Sequence, residues 1–519
     1  MNKAPEMPRA GRREWIGLAI LALPCILYSM DMTVLNLAVP ALSEDLKPSS
    51  AQLLWIVDIY GFMVAGALVT MGTLGDRIGR RRLLLIGATA FGLASVFAAF
   101  ATSAEMLIAA RATLGIAAAT LAPSTLSLLR NMFHDPKERT FAIGVWIASY
   151  SAGAAVGPII GGILLAYFWW GSVFLIAVPV MVLLLVLAPI LLPEFRDPQA
   201  GRLDIRSAVL SLAAVLAVIY GVKRMAEHGP GTEAFLFVLA GLVLGTIFAR
   251  RQKRLADPLI DLALFRRPAF NVALLTNILS LFVAFGSFLF VAQYLQLVLG
   301  LSPLEAGLWS LPSALAFVVG SMLTGKLTAL ARPATVMAAG LLVAAIGFAA
   351  VAWAALDEGL VALVVAMTIF SIGLAPVFTL TTDLIVGAAP PERAGAASAI
   401  SETGAELGGA LGIAVLGSIV TAVYRKTMQA DSLSGVPEPL VEAARDTLGG
   451  ARAIAGQLPE TVGTPLLAVA REAFTSGLVL ASLISAAIAV LTAVLILGIL
   501  RRAGTPDSEG EESLPATVA

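Results

Sequence analysis

Long apolar runs separated by short polar breaks recur along the whole chain. They fall at about 15–39, 52–74, 83–102, 105–128, 141–165, 171–193, 205–223, 233–250, 271–298, 304–328, 334–355, 359–386, 395–424 and 474–500. At a rise of about 1.5 Å per residue, each makes a helix long enough to cross roughly 30 Å of hydrocarbon. The pattern predicts about fourteen spanning helices, and an even number puts both termini on one side. The first run is too long for a signal-peptide core and ends without a small-residue cleavage pattern, so it reads as the first span. The stretch from about Arg425 to Ala473 alternates polar and apolar segments, which predicts an outer loop able to form a small cap.

Composition agrees. Over 519 residues, 59% are hydrophobic and 13% are charged, with a mean hydropathy of +0.91. Soluble domains carry about 25% charged residues, so this chain needs the bilayer as its solvent. A formal net charge of zero excludes a general binder of nucleic acid or other polyanions. The distribution of charge is informative. With the N-terminus inside, inner segments hold about 25 of the 34 Lys and Arg residues, which fits both termini in the cytoplasm. The single cysteine, Cys25, lies in an apolar run and allows no internal disulfide. His134 and His228 fall in predicted loops, which argues against a histidine proton relay or a histidine metal site. No phosphate-binding loop, Cys/His metal spacing or nucleophile elbow occurs, so no cofactor, metal or enzymatic activity is expected.

A weak repeat divides the chain. Pro136-Lys-Glu138-Arg139 precedes one apolar run and Pro390-Pro391-Glu392-Arg393 precedes another. The helices that follow carry glycines four apart: Gly153, Gly157 and Gly161, then Gly404, Gly408 and Gly412. Small residues at this spacing let helices approach closely, and their recurrence suggests two related halves. The expected organisation is a tail over 1–14, a six-helix bundle over 15–200, two inserted helices over 201–255, a second six-helix bundle over 256–502 containing the outer loop 425–473, and a tail over 503–519.

Carboxylates within the apolar runs carry the candidate chemistry, because an ionisable group at membrane depth is costly and rarely idle. Glu402 and Glu406 lie one turn apart on the thirteenth span, roughly 10 and 17 Å from its inner end. Gly404, Gly408 and Gly412 sit about 200° round the helix from them, leaving the acids to face a cavity while the glycines pack. Asp31 lies about 12 Å below the outer end of its helix, and Asp58 and Arg111 roughly 9 Å below theirs. Asp31 and Arg111 are therefore expected close enough to bias each other, the plainer alternative being a static salt bridge. Asp383, near an inner helix end, reads as an interfacial residue. Trp55, Tyr60, Trp146 and Tyr294 are candidates to line the cavity and stack on organic cations. Together these groups point to a protein that moves protons and cations.

The most specific signature is Gly72-Thr-Leu74-Gly75-Asp76-Arg77-Ile78-Gly79-Arg80-Arg81-Arg82, between the second and third spans. Gly75 and Gly79 permit a tight turn, Asp76 can meet a helix N-terminus, and the arginines hold the loop at the interface. In this the chain resembles the major facilitator superfamily. Leu107-x3-Arg111-x3-Gly115 is similar to that family's buried-arginine motif, and Gly153-x3-Gly157-Pro158-x2-Gly161-Gly162 to the motif of its antiporters. Met30-Asp31-Met32-Thr33, closing with Ala38-Val39-Pro40, together with Leu54-Trp55-Ile56-Val57-Asp58-Ile59-Tyr60, resembles the fourteen-helix drug:proton antiporters of the QacA and SmvA type. The resemblance covers about residues 15–500.

The resemblance implies an all-α polytopic membrane protein of the major facilitator fold, two six-helix bundles plus two extra helices. It implies a monomeric multidrug efflux antiporter in a bacterial cytoplasmic membrane. That antiporter exchanges protons for lipophilic, mainly cationic compounds by alternating access. Asp31 and Arg111 would couple the proton. Asp58, Glu402, Glu406, Trp55 and Tyr60 would bind cargo. Gly72, Gly75, Asp76, Arg77, Gly79, Arg80, Gly153, Gly157, Pro158 and Gly161 would shape the gates. The second-half counterpart of the signature loop, Gly325 to Arg332, is degenerate. An acidic position that some such exporters carry on the tenth helix is absent from the apolar stretch Ser313–Gly320, which weighs against divalent cargo. The rival reading is a dedicated exporter of one antibiotic or metabolite made by the host.

Overall fold

The computed structural model describes residues 9–48, 50–196, 204–228, 231–255, 258–357, 359–428, 437, 440–441, 444–445 and 447–503. Most of both predicted tails, the start of the inserted pair and much of the outer loop therefore lie outside the described residues. Helices are the only regular structure among the described residues, and short turns join them. The helices are α1 (Arg12–Leu46), α2 (Ser50–Ile78), α3 (Arg80–Ala99), α4 (Ala104–Met132), α5 (Pro136–Tyr167), α6 (Ser172–Leu175), α7 (Ala177–Leu191), α8 (Ile205–His228), α9 (Thr232–Gln252), α10 (Pro268–Gln293), α11 (Pro303–Leu330), α12 (Pro333–Leu356), α13 (Leu360–Ala388), α14 (Ala394–Thr427), α15 (Leu448–Ala455) and α16 (Glu460–Ala503). Fourteen spans among the described residues are long and apolar enough to cross a membrane, α6 and α7 together forming the sixth. His228 belongs to the last turn of α8 rather than to a loop.

Helix starts follow local chemistry. Ser103 caps α4 by accepting from the Met106 amide. Asp135 caps α5 through the Lys137 and Glu138 amides, with Pro136 in the first turn. Ser302 and Glu305 form a reciprocal capping box on α11. Each satisfies amides that a helix start leaves without intrahelical partners.

Two bundles form around a seam. In the first, α1 packs on α5, α2 on α4, and α3 on α4 and α7. In the second, α10 packs on α14, α11 on α13, and α12 on α13 and α16. The seam is made by α2 against α14 and α5 against α11. The glycine repeat is used twice in the same way. A side chain at Gly153 would run into the Ile26 carbonyl of α1. Side chains at Gly408 and Gly412 would run into the Ile278 and Phe282 carbonyls of α10. Thus α5 rests on α1 as α14 rests on α10, and the two halves share one packing device.

The inserted pair, α8 and α9, packs on itself and lays α8 along α2 and α14, outside the seam. Gly66 of α2 leaves the space that Leu212 and Leu216 fill. At the end of the molecule opposite the loop between α2 and α3, α16 begins at Glu460, well before the expected start near residue 474. The cap is tied down by Tyr424 Oη donating to the Ala444 carbonyl at 2.9 Å. Arg452 and Arg471 donate to the Gln296 and Leu297 carbonyls at 3.0 and 3.2 Å.

Candidate functional site

Arg111 of α4 is 1% exposed. Its Nη1 donates to Asp31 Oδ2 at 2.6 Å, its Nε to the Ile56 carbonyl at 3.0 Å and its Nη2 to the Val57 carbonyl at 3.4 Å. The guanidinium also lies 4.9 Å above the Tyr60 ring centre. One side chain thereby joins α1, α2 and α4. Gly115, one turn beyond Arg111, makes this reach possible because α4 touches the Tyr60 carbonyl there. A cation this deep persists only when paired and hydrogen-bonded. The pairing expected from helix depth is present. Asp31 also lines a small pocket inside the first bundle, with Phe91 and Phe174 on its walls.

Glu402 and Glu406 lie half-buried on α14. Across the seam, Tyr28 of α1 donates its hydroxyl to Glu406 Oε1 at 2.7 Å. The Tyr28 ring centre is 5.5 Å from Tyr150 and 6.0 Å from Tyr60. Tyr150 is in turn 4.9 Å from Trp146, which donates to Thr125 Oγ1 at 3.0 Å. An aromatic wall on the first half thus faces two acids on the second. Tyr28 and Tyr150 were not among the sequence candidates. The available signal was spacing: Tyr28 stands three residues before Asp31 and Tyr150 four after Trp146, one helical turn in each case.

Other candidates fall elsewhere. Trp55 is 43% exposed and rests edge-on to Phe62, away from this cluster. Tyr294 is fully buried and donates to the Ala355 carbonyl at 2.8 Å, holding the segment that follows α10 to α12 rather than lining a cavity. Asp58 and Pro158 occupy α2 and α5, but their side chains lie outside the described residues. Gly157 and Gly161 are buried in α5.

The signature loop closes one end of the seam. Asp76 accepts from the Gly395 and Ala396 amides at 3.0 and 2.9 Å, in the first turn of α14. Arg80 donates to Asp76 at 2.9 Å and to the Pro391 carbonyl at 2.5 Å. The helix start that Asp76 meets therefore belongs to the opposite half. Gly72 is in contact with the Gly395 carbonyl, so a side chain there would force α2 and α14 apart. Gly79 has φ of 110° and packs against Glu194, whose carboxylate accepts from the Arg81 and Arg82 amides at 3.1 Å each. Gly75 faces Leu83, and the half-buried Arg77 lines a small pocket beside the loop with Asp261 and Arg393.

A second latch joins Asp383 of α13 to Arg139 of α5 at 2.7 Å, with Thr140 donating to the same carboxylate at 2.9 Å. Asp383 is more than an interfacial residue, because it ties one half to the other. Where Gly144 of α5 meets the Ser321 carbonyl of α11, the halves also touch directly.

The inserted pair reaches this closure through a hydrogen-bond chain. Arg251 and Ser207 both donate to Asp204 at 2.7 Å. Gln252 donates to Ser207 at 2.9 Å and accepts from the Leu259 amide at 2.7 Å, and Thr73 donates to the Leu259 carbonyl at 2.9 Å. The bonds from Arg251 and Ser207 hold the Asp204 carboxyl at about 2, below its usual 3.8. Among the described residues no group of three or more His, Cys, Asp or Glu could hold a metal ion.

Residues 21–413 match the model of the Major Facilitator Superfamily. The chain is 44% identical over 498 residues to the multidrug efflux pump LfrA of Mycolicibacterium smegmatis, covering 96% of this chain and 98% of that protein. It is 37% identical to the methyl viologen resistance protein SmvA of Salmonella typhimurium, covering 89% and 93%. The crystal structure of the human organic anion transporter MFSD10 superposes with a TM-score of 0.57 at 15% identity, over 93% of this chain and 99% of that one.

Proposed function

The chain belongs to the Major Facilitator Superfamily, and from that premise we propose that it is a proton-coupled multidrug efflux antiporter for lipophilic, mainly cationic compounds. One observation carries the reading: Glu402 and Glu406 face the tyrosine wall across the seam, while the Asp31–Arg111 pair stands apart from them within the first half. Carboxylates select positive charge, and aromatic faces attract cations without demanding a particular shape. A loosely apolar, adaptable surface of this kind suits a broad range of cargo. The name of LfrA supports efflux, and SmvA is named for resistance to methyl viologen, an organic cation.

The cycle follows from the two sites. Cargo enters from the cytoplasm and sits against Glu402 and Glu406 in the inward-open state. Closure of the latches at Asp76 and Asp383 seals the inner end and commits the cargo outward. A proton arriving from outside is taken by Asp31, which loosens its pairing with Arg111 and resets the carrier. Both termini lie in the cytoplasm of a bacterium whose cytoplasmic membrane holds the protein, and the monomer is the working unit. On this reading Trp55 and Asp58 also contribute to cargo binding.

The test is efflux from proteoliposomes under an imposed pH gradient, with Asp31, Asp58, Glu402 and Glu406 neutralised singly. Gradient-driven release of several cationic dyes, lost on neutralisation of Glu402 or Glu406, is expected. Failure with every dye and success with one host-made compound would assign a dedicated exporter instead.

A further inference from the structure

The Tyr28 hydroxyl stands against Glu406 where a positively charged cargo atom would stand. It is the donor that satisfies Oε1 of that acid, at 2.7 Å, and it comes from the opposite half of the molecule. A carboxylate in a partly dehydrated seam is costly without such a donor. The bond therefore stabilises the carrier when no cargo is bound.

The neighbouring Tyr60 carries a second buried hydroxyl. Tyr60 is 1% exposed, and its hydroxyl is buried without a hydrogen-bond partner. Buried polar groups are nearly always paired, so an orphan calls for a cause. Its ring is 6.0 Å from Tyr28 and tilted by 55°. The same ring lies beneath the guanidinium of Arg111, which holds Asp31 at 2.6 Å.

We propose that Tyr28 is a specificity-determining and positioning residue that occupies Glu406 in place of cargo. An arriving cation displaces the hydroxyl, which turns to the hydroxyl of Tyr60 and so passes occupancy of the seam to the ring under Arg111. This rests on the reading of Glu402 and Glu406 as the cargo site. It explains how two sites on different bundles sense each other. Cargo and the Tyr28 hydroxyl compete for one oxygen, and the loser moves toward the proton-carrying pair.

Binding of radiolabelled tetraphenylphosphonium to the purified full-length protein, without a gradient, tests this. That cation has no hydrogen-bond donor and cannot replace the Tyr28 bond in kind. Tyr28→Phe removes the competitor and keeps the ring, so affinity is expected to tighten about tenfold, as loss of a bond to a charged group implies. Tyr60→Phe removes the landing partner and is expected to weaken binding about threefold, an effect that disappears in the Y28F background because the two residues act as one device. In transport, Y28F lowers KM and kcat together, a signature that a purely structural role would not give.

Unchanged or weaker binding by Y28F, or a Tyr60→Phe effect that persists in the double variant, overturns the proposal. Should Y28F fail to accumulate, Tyr60→Phe decides alone, unchanged affinity counting against it. If Glu406→Gln loses tetraphenylphosphonium and Y28F behaves as wild type, only this proposal falls. If wild type does not bind the cation, or Glu406→Gln binds it normally, the cargo-site reading falls with it.

Discussion

At the scale of single residues, the two charged centres are held differently, and that predicts different failures. Asp31 has one ionic partner, whereas Arg111 has Asp31 and two backbone carbonyls. Asp31→Asn leaves Arg111 its two carbonyls on α2 and an amide oxygen in place of the carboxylate, so a lower thermal midpoint is expected, while cargo binding by the folded protein should survive. Proton-gradient-driven efflux should be abolished, while cargo exchange at equal pH continues. Efflux that still follows an imposed pH gradient would remove Asp31 from the coupling role. Arg111→Leu strands the Asp31 carboxylate inside the bundle. A cost of about 3–5 kcal/mol is expected, read as a large fall in the thermal midpoint of the purified protein. The Asp31–Arg111 pair was legible in the sequence, because charge within an apolar run is rare and helix rise converts position into depth. Tyr28 was not legible. An aromatic in a spanning run more often marks an interface, and its partner Glu406 is 378 positions away.

At the scale of elements, close helix contacts and end networks carry the load. Gly412 is in contact with the Phe282 carbonyl of α10, whereas Gly162 of α5 has open space around its missing side chain. Gly412→Val should push α14 off α10 and sharply reduce folded protein on size-exclusion chromatography. Gly162→Ala should be tolerated, and equal behaviour of the two would refute this account of the glycine repeat. At the ends of the inserted pair, the depressed Asp204 carboxyl gives a pH signature. A carboxyl whose pKa is lowered by folding adds stability above its usual value, and loses that contribution as pH falls through the folded value. Asp204→Asn should therefore lower the thermal midpoint at pH 7, with the gap to wild type narrowing below about pH 4 and closing near pH 2. The spans were readable because hydrocarbon thickness fixes their length. The early start of α16 was not legible because residues 460–473 carry polar positions, and their contacts are made with other parts of the chain, Gly463 with Ala455 of α15 and Arg471 with the Leu297 carbonyl.

At the scale of the whole molecule, closure of the inner end depends on two latches that cross the seam. Asp76 and Arg80 grip the start of α14, and Arg139 with Thr140 grips Asp383 of α13. The first was foreshadowed by the signature loop, although its target could not be read, since the helix it caps begins more than three hundred residues later. The second was hidden because Arg139 and Asp383 lie in different halves, and neither is unusual near a membrane interface. Each latch contains hydrogen bonds to charged groups, worth about 1.5–3 kcal/mol apiece. Removing both carboxylates should thus move the balance between closed and open inner ends by tenfold or more. This is measurable as a distance. With buried Cys25, the single cysteine of the chain, replaced by serine, spin labels at Arg82 and Gly387 report across the inner end. Asp76→Ala combined with Asp383→Ala should shift their separation to longer values and increase the labelling of inner seam positions such as Ser321. Either substitution alone should give an intermediate distribution. A double variant whose distances match the parent would mean that packing of α5 on α11 and α2 on α14 closes the inner end without help from these charges.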